Sequence, residues 1–220
     1  MKLSLLVSVW RRDKLLGEFF DRWFKQPEID EVLVWDNSSG KLNIPKDPRI
    51  KVFTSPLNYG CTARNVLAHF AINDNVIIAC DDVFVEEGFV EDILKYYSED
   101  MFLGIWGRRF NGEKLYGATK TVISKNIHIP LEVEFVVGLI SLINRKYLLG
   151  LNYRDMKWTC DDMHINAELQ EKYPQVKRVV VPSRKWDLTE EETDGNALFS
   201  HPNAGTEKQE LYEKCFVKST

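Results

Sequence analysis

Hydrophobic and polar positions follow two periods along the chain. Leu3 to Val9 is an apolar run broken only by Ser4 and Ser8, as a short buried strand requires. Leu15, Leu16, Phe19, Phe20, Trp23 and Phe24 then recur at helical spacing and define one face of a helix. Glu31 to Trp35 predicts a second strand, closed by the turn-forming run Asp36-Asn37-Ser38-Ser39-Gly40. Ile50 to Thr54 predicts a third strand. Ala63, Val66, Leu67, Phe70 and Ala71 form the next helical stripe, and Asn75 to Cys80 predicts a fourth strand. Strands separated by helices point to a parallel, doubly wound α/β sheet.

Beyond Asp82 the pattern is less regular. Gly88 to Tyr97 predicts a helix, Phe102 to Trp106 a strand, and Lys114 to Ser124 an arm of a β-hairpin. Phe135 to Ile143 reads as a buried strand interrupted at Gly138. A helix is expected from Thr159-Cys160-Asp161-Asp162 to about Tyr173, and a short strand over Val179 to Val181. Asp187 to Thr206 is acidic, then polar, and carries Gly195, Pro202 and Gly205; its length suggests a mobile loop of the lid type. Glu207 to Phe216 predicts a closing helix.

Composition narrows the class. The 220 residues suit one domain, with 44% apolar and 28% charged residues, an ordinary globular balance. A net charge of −4 argues against a nucleic-acid surface, which needs a basic excess. Cys61, Cys80, Cys160 and Cys215 form no CxxC pair, which argues against a zinc site and suits reduced cytosolic thiols. The N-terminal apolar run is too short to span a membrane, and no lipidation motif is present. The expectation is a cytoplasmic protein (host cytoplasm for a viral one) or a soluble catalytic domain of a larger protein, monomeric or weakly dimeric.

Four constellations carry chemistry. In Ala79-Cys80-Asp81-Asp82-Val83, two carboxylates directly follow an apolar strand, where open α/β sheets bind ligands. Such oxygens suit Mg²⁺ or Mn²⁺ bridging to substrate phosphates; an acidic turn capping the next helix is the alternative. Gly60-Cys61-Thr62-Ala63-Arg64-Asn65 opens a helix, where backbone N–H groups and the Arg64 guanidinium could meet a diphosphate or uracil; a solvated arginine is the alternative. Trp35-Asp36-Asn37-Ser38-Ser39 could read a base edge or simply make a turn. Thr159-Cys160-Asp161-Asp162 offers a capping box with Thr159 as N-cap, or a carboxylate that takes a proton from an acceptor hydroxyl or holds a donor sugar.

In this order, the segments resemble the GT-A glycosyltransferases. EVLVWDNSSG looks like the second-strand signature of that fold. GCTARNVLA resembles the "ARN" helix of the large inverting family that includes chitin and polysaccharide synthases. NVIIACDDVFVEEGF looks like the segment carrying the DxD-type metal motif. TCDDMHIN is similar to a segment of the exostosin-type C-terminal domain and to the "ED" pair of inverting enzymes. The resemblance covers roughly residues 1 to 185 and implies a mixed α/β sheet flanked by helices. It implies residues 1–100 as a nucleotide-binding half and 101–220 as an acceptor-binding half.

The resemblance also implies roles. Asp82 is the metal ligand, for Mn²⁺ or Mg²⁺, and Asp81 contacts the ribose. Arg64 approaches the uracil or diphosphate and Asn37 the base, while Val9, Trp10 and Arg11 line the nucleotide pocket. Asp162 is the general base of an inverting enzyme; in a retaining one, Asp161 or Asp162 steadies the donor sugar. His201 is a candidate C-terminal metal ligand. The implied partners are a UDP-sugar donor and a glycan or glycoprotein acceptor. A nucleotidyltransferase would carry a Gly-rich loop after the first strand, but Ser8-Val9-Trp10-Arg11-Arg12 has no glycine. A non-catalytic GT-A-like binding module is the remaining alternative, opposed by the two Asp pairs and Arg64.

Overall fold

The computed structural model describes residues 1–40, 42–110, 119–154, 156, 160–189 and 204–216. Strands β1 (Leu3–Val9), β2 (Ile29–Asp36), β3 (Ile50–Thr54) and β4 (Asn75–Cys80) run parallel in the order β3-β2-β1-β4. β11 (Ile140–Asn144) joins β4 antiparallel and continues the sheet through β6 (Met101–Gly104), β12 (Lys177–Val180) and β9 (Leu131–Glu132), giving eight strands. The sheet is therefore mixed, not all-parallel as the strand–helix alternation alone suggests. An apolar run is blind to strand direction, so only the connections settle it.

Alternation within the strands builds a core on each face. Leu3, Leu5, Val7 and Val9 join Val32, Val34, Ile77 and Ala79 on one side; Leu6, Leu33, Val76 and Ile78 belong to the other. α1 (Asp13–Trp23) covers the first side with Leu16, Phe19, Phe20 and Trp23, all fully buried. Trp23 meets Phe89 of α3 (Phe89–Leu94) edge-to-face at 6.1 Å. The second side takes α4 (Arg145–Leu149), with Tyr147 and Leu148, and α5 (Asp161–Lys172), with Ile165 and Leu169.

Several boundaries differ from the sequence expectation. The stripe over residues 63–71 gives only α2 (Thr62–Val66) and a 3₁₀ turn over Leu67–His69. The run around Phe102 to Trp106 divides at Ile105, whose carbonyl accepts from Ser124 N, so that β7 (Trp106–Phe110) leaves the main sheet. β7 pairs instead with β8 (Thr119–Ile123) and β10 (Phe135–Val136). Asp187 and Leu188 belong to β13 (Trp186–Leu188), antiparallel to β5 (Val83–Val85), and Gly205 and Thr206 lie in α6 (Ala204–Phe216). The expected loop is thus shorter at both ends, and its remainder, 190–203, lies outside the described residues. α6 packs on α5, with Leu211 and Tyr212 against Phe135, Cys160 and Met163. Among the described residues, no helix is long and apolar enough to cross a membrane. Cys61, Cys80, Cys160 and Cys215 are thiols outside any disulfide.

Candidate functional site

In the order β3-β2-β1-β4 the chain winds outward in both directions from β1, so the carboxyl ends of β1 and β4 form the crevice where such sheets take ligands. Two segments meet there. Arg11, with φ of +58°, turns the chain sharply from β1 into α1. Arg12, the N-cap of α1, reaches across the crevice to the end of β4. Its Nη1 lies 2.6 Å from Asp81 Oδ1 and 2.7 Å from Asp82 Oδ2, and all three side chains are nearly buried.

Burial pushes the Asp81 carboxyl up to about 6; Arg12 opposes the shift and Asp82 adds to it. Burial acts to lower the Arg12 guanidinium, but Asp81 and Asp82 outweigh it and hold it above its ordinary value. Asp82 Oδ1 is buried with no hydrogen-bond partner, while the Asp82 carbonyl accepts from Thr189 N at 3.0 Å. An unpaired, buried carboxylate oxygen suits a hard divalent cation. Among the described residues, no three His, Cys, Asp or Glu side chains converge into a complete cage. Two carboxylates therefore fit a cation that completes its shell with phosphates and water. His201 lies outside the described residues.

Arg64, on α2, is 2% exposed and forms the second half of the site. Its Nη1 donates to Cys80 Sγ at 2.8 Å and its Nη2 to Asp161 Oδ2 at 3.2 Å. Asn65 Nδ2 donates to the same Asp161 oxygen at 3.0 Å. Arg64 is thus no solvated helix residue; it links the end of β4 to the start of α5. Gly138 sits over this link. A Cβ there would come within 2.7 Å of Arg64 Nη2 and 3.2 Å of Asp162 Cβ, so glycine permits the close approach.

Asp162 is differently placed from its neighbour. Its Oδ2 accepts from Gly138 N at 3.3 Å and its Oδ1 from Met163 N at 2.9 Å. Burial raises its proton affinity above the ordinary carboxylate value; Lys208 of α6 opposes the shift and Asp161 adds to it. The expected capping box does not describe this helix start. Cys160 is the N-cap and makes no side-chain capping bond, and Thr159 lies outside the described residues.

The remaining sequence candidates separate. Asn37 is buried and clamps the neighbouring loop, accepting from Tyr59 N at 2.9 Å and donating to Gly60 O at 3.2 Å. Both ends of its amide are engaged by backbone. The Val9 side chain lies wholly in the core, so only its backbone faces the crevice rim, where its carbonyl accepts from Asn37 N. Trp10 is half-buried and carries the Arg11 guanidinium over its ring at 4.7 Å.

Nine buried side-chain polar atoms among the described residues lack a partner, and five of them lie on these segments: Thr62 Oγ1, Arg64 Nε, Asn65 Oδ1, Asp82 Oδ1 and Thr189 Oγ1. Buried polar groups are normally paired, so these five atoms are open to a polar ligand or to water. Sequence reasoning did not single out Arg12, Asn65, Cys80 as a partner of Arg64, or Thr189. Arg12 had one signal: a cation at a helix N-terminus opposes the helix dipole, so its charge answers to something else.

No family model matches the sequence, and no curated protein matches it. Solved structures do. GalNAc-T7 with UDP, GalNAc and Mn²⁺ superposes with a TM-score of 0.66 at 13% identity, covering 86% of this chain and 44% of that one. TarS of S. aureus, residues 1–349, gives 0.58 at 18% identity, covering 87% and 61%. The mannosyltransferase PcManGT from Pyrobaculum calidifontis, with GDP-Man and Mn²⁺, gives 0.56 at 12% identity, covering 83% and 55%. The chain therefore spans about half the length of these proteins. At these identities the likeness speaks for architecture, and with the mixed sheet and its crevice it assigns the chain the GT-A fold of the nucleotide-sugar glycosyltransferases.

Proposed function

We propose that this chain transfers a sugar from a UDP-sugar to a hydroxyl of a glycan or glycoconjugate, with help from Mn²⁺ or Mg²⁺. The observation that carries this reading is the gathering of Arg12, Asp81, Asp82, Arg64, Asp161 and Asp162 at the ends of β1 and β4, with five unpaired buried polar atoms among them and their neighbours. Four carboxylates meet the cations Arg12, Arg64 and Lys208, which leaves an excess of negative charge that favours a cation. The GalNAc-T7 structure with UDP and Mn²⁺ and the mannosyltransferase structure with GDP-Man and Mn²⁺ lend support by analogy of fold.

Asp82, through its unpaired oxygen, would hold the cation, with Asp81 beside it toward the ribose. When bound, a divalent cation neutralises charge that develops on the departing diphosphate. Arg64 adds a fixed positive charge for the same group, held in place by Asp161 and Cys80. Trp10 and Arg11 form the accessible lining of the nucleotide pocket, and Asn37 holds its neighbouring loop in register. Asp162, with its raised proton affinity, is suited to take the proton of the acceptor hydroxyl in an inverting reaction, or to steady the donor sugar in a retaining one.

The test is UDP release from a panel of UDP-sugars with Mn²⁺, with and without candidate acceptors. Turnover of one donor that falls away on chelating the metal supports the reading. A chain that binds UDP but turns over none of the panel would favour a non-catalytic binding module.

A further inference from the structure

Arg12 stands at the N-cap of α1, the end of a helix that repels a cation. Its partners lie across the crevice. A single nitrogen, Nη1, contacts Asp81 Oδ1 at 2.6 Å and Asp82 Oδ2 at 2.7 Å. A divalent ion taken up through the unpaired Asp82 Oδ1, at roughly 2.0–2.1 Å for Mg²⁺, sits on the same carboxylate whose Oδ2 holds Nη1 at 2.7 Å. Ion and guanidinium are then neighbouring like charges that compete for Asp81 and Asp82.

Charge balance says what must follow. The two carboxylates carry two negative charges, and Arg12 offsets one of them; Asp82 Oδ1 stays unpaired even so. A divalent ion in its place offsets both and leaves a guanidinium without a partner in a buried crevice. That state is strongly unfavourable unless a new anion arrives. The diphosphate of a nucleotide is such an anion.

We propose that Arg12 is the resident counter-ion of the donor site and couples cation to nucleotide: the cation displaces it from Asp81 and Asp82, and the diphosphate then takes up its charge. Cation and nucleotide consequently load together. The inference rests on the metal-assisted donor binding proposed above.

The experiment titrates Mn²⁺, followed by electron paramagnetic resonance, into wild type and Arg12→Gln with and without saturating UDP. Wild type should bind Mn²⁺ weakly alone and much more tightly with UDP. Arg12→Gln should bind Mn²⁺ alone about tenfold more tightly, because the guanidinium no longer holds the site closed. The gain conferred by UDP should shrink by a similar factor. An unchanged affinity and an unchanged UDP gain in Arg12→Gln overturn the inference while leaving metal-assisted binding intact. Absence of any Mn²⁺-dependent UDP binding in wild type removes both. Because Arg12→Gln strips two buried carboxylates of their partner and can impair folding, a second measurement uses wild type. The ¹⁵N signal of the Arg12 guanidinium should shift and exchange faster with Mg²⁺ and UDP together. A signal left unchanged by the pair, or moved fully by Mg²⁺ alone, overturns the coupling.

Discussion

Asp161 and Asp162 are adjacent on the first turn of α5, yet Arg64 holds only Asp161, at 3.2 Å. Asp161 is part of a buried network with Arg64 and Asn65, whereas Asp162 accepts backbone N–H groups from Gly138 and Met163 and faces the charge of Lys208. The two carboxylates therefore answer different physical demands, and replacing each by Asn should act on stability in different ways.

Asp161→Asn should lower stability by about 1–3 kcal/mol, because a buried guanidinium loses a charged partner. Asp162→Asn loses one of two accepted backbone hydrogen bonds, because an amide has a single acceptor oxygen, and it also changes how stability depends on pH. Burial raises the Asp162 pKa above the ordinary 3.8, so the folded state binds that proton more tightly than the unfolded chain. Stability is then lost as pH rises from 3.8 through the raised value, and Asn escapes this loss. Thermal unfolding of Asp162→Asn should compare better with wild type at pH 8 than at pH 4, on top of a cost for the lost hydrogen bond that is similar at both. A difference from wild type that is the same at pH 4 and pH 8 contradicts the electrostatic assignment.

The same substitution tests chemistry. Asp162→Asn should bind UDP normally and lose turnover by roughly 10²–10⁴-fold, the usual contribution of a positioned acid–base group. The acid limb of kcat/KM in wild type should fall above the ordinary carboxylate range and vanish in the variant. Near wild-type turnover in both Asn variants refutes a catalytic role for the pair.

The start of the chain was legible because its periods are strong. Leu3–Val9 and the Leu16-Phe19-Phe20-Trp23 stripe define β1 and the buried face of α1. The Asp81-Asp82 pair was legible as a site because it closes an apolar strand. Strand direction at β11 was not legible from its pattern, since Ile140–Asn144 reads alike in both senses. Nor was β13, because Trp186–Leu188 pairs with Val83–Val85 about a hundred residues away in sequence, beyond any local signal. Arg12 escaped notice for the same reason: its partner Asp81 is 69 residues distant, with Asp82 next to it, and two consecutive arginines after a strand look like a solvated turn.

Gly138→Ala tests how tightly the site is packed. The added Cβ would meet Arg64 Nη2 at 2.7 Å, and Asp162 lies just beyond. Stability should fall by about 1–3 kcal/mol, as overpacking commonly costs. Turnover should fall further than stability accounts for, since the methyl group pushes on both Arg64 and Asp162. Wild-type turnover in Gly138→Ala counts against this contact being part of the working site.

Cys80 offers a chemical test of burial. Burial pushes its thiol up to about 12, with Arg64 opposing the shift. A thiol reagent at pH 8 should leave Cys80 of the folded chain unmodified by mass spectrometry, because the thiolate is the reactive form. Rapid labelling of Cys80 in the folded chain contradicts a closed contact with Arg64.

Metal-dependent nucleotide binding through Asp82 is tested most directly by thermal unfolding of wild type and Asp82→Asn with UDP, with and without Mn²⁺. At about a hundred times Kd, a ligand adds about 2.7 kcal/mol, or roughly 5–10 °C for a domain of this size. Wild type should show that rise only when UDP and Mn²⁺ are both present, and Asp82→Asn should not show it. A rise of the same size without Mn²⁺, or in Asp82→Asn, contradicts the assignment.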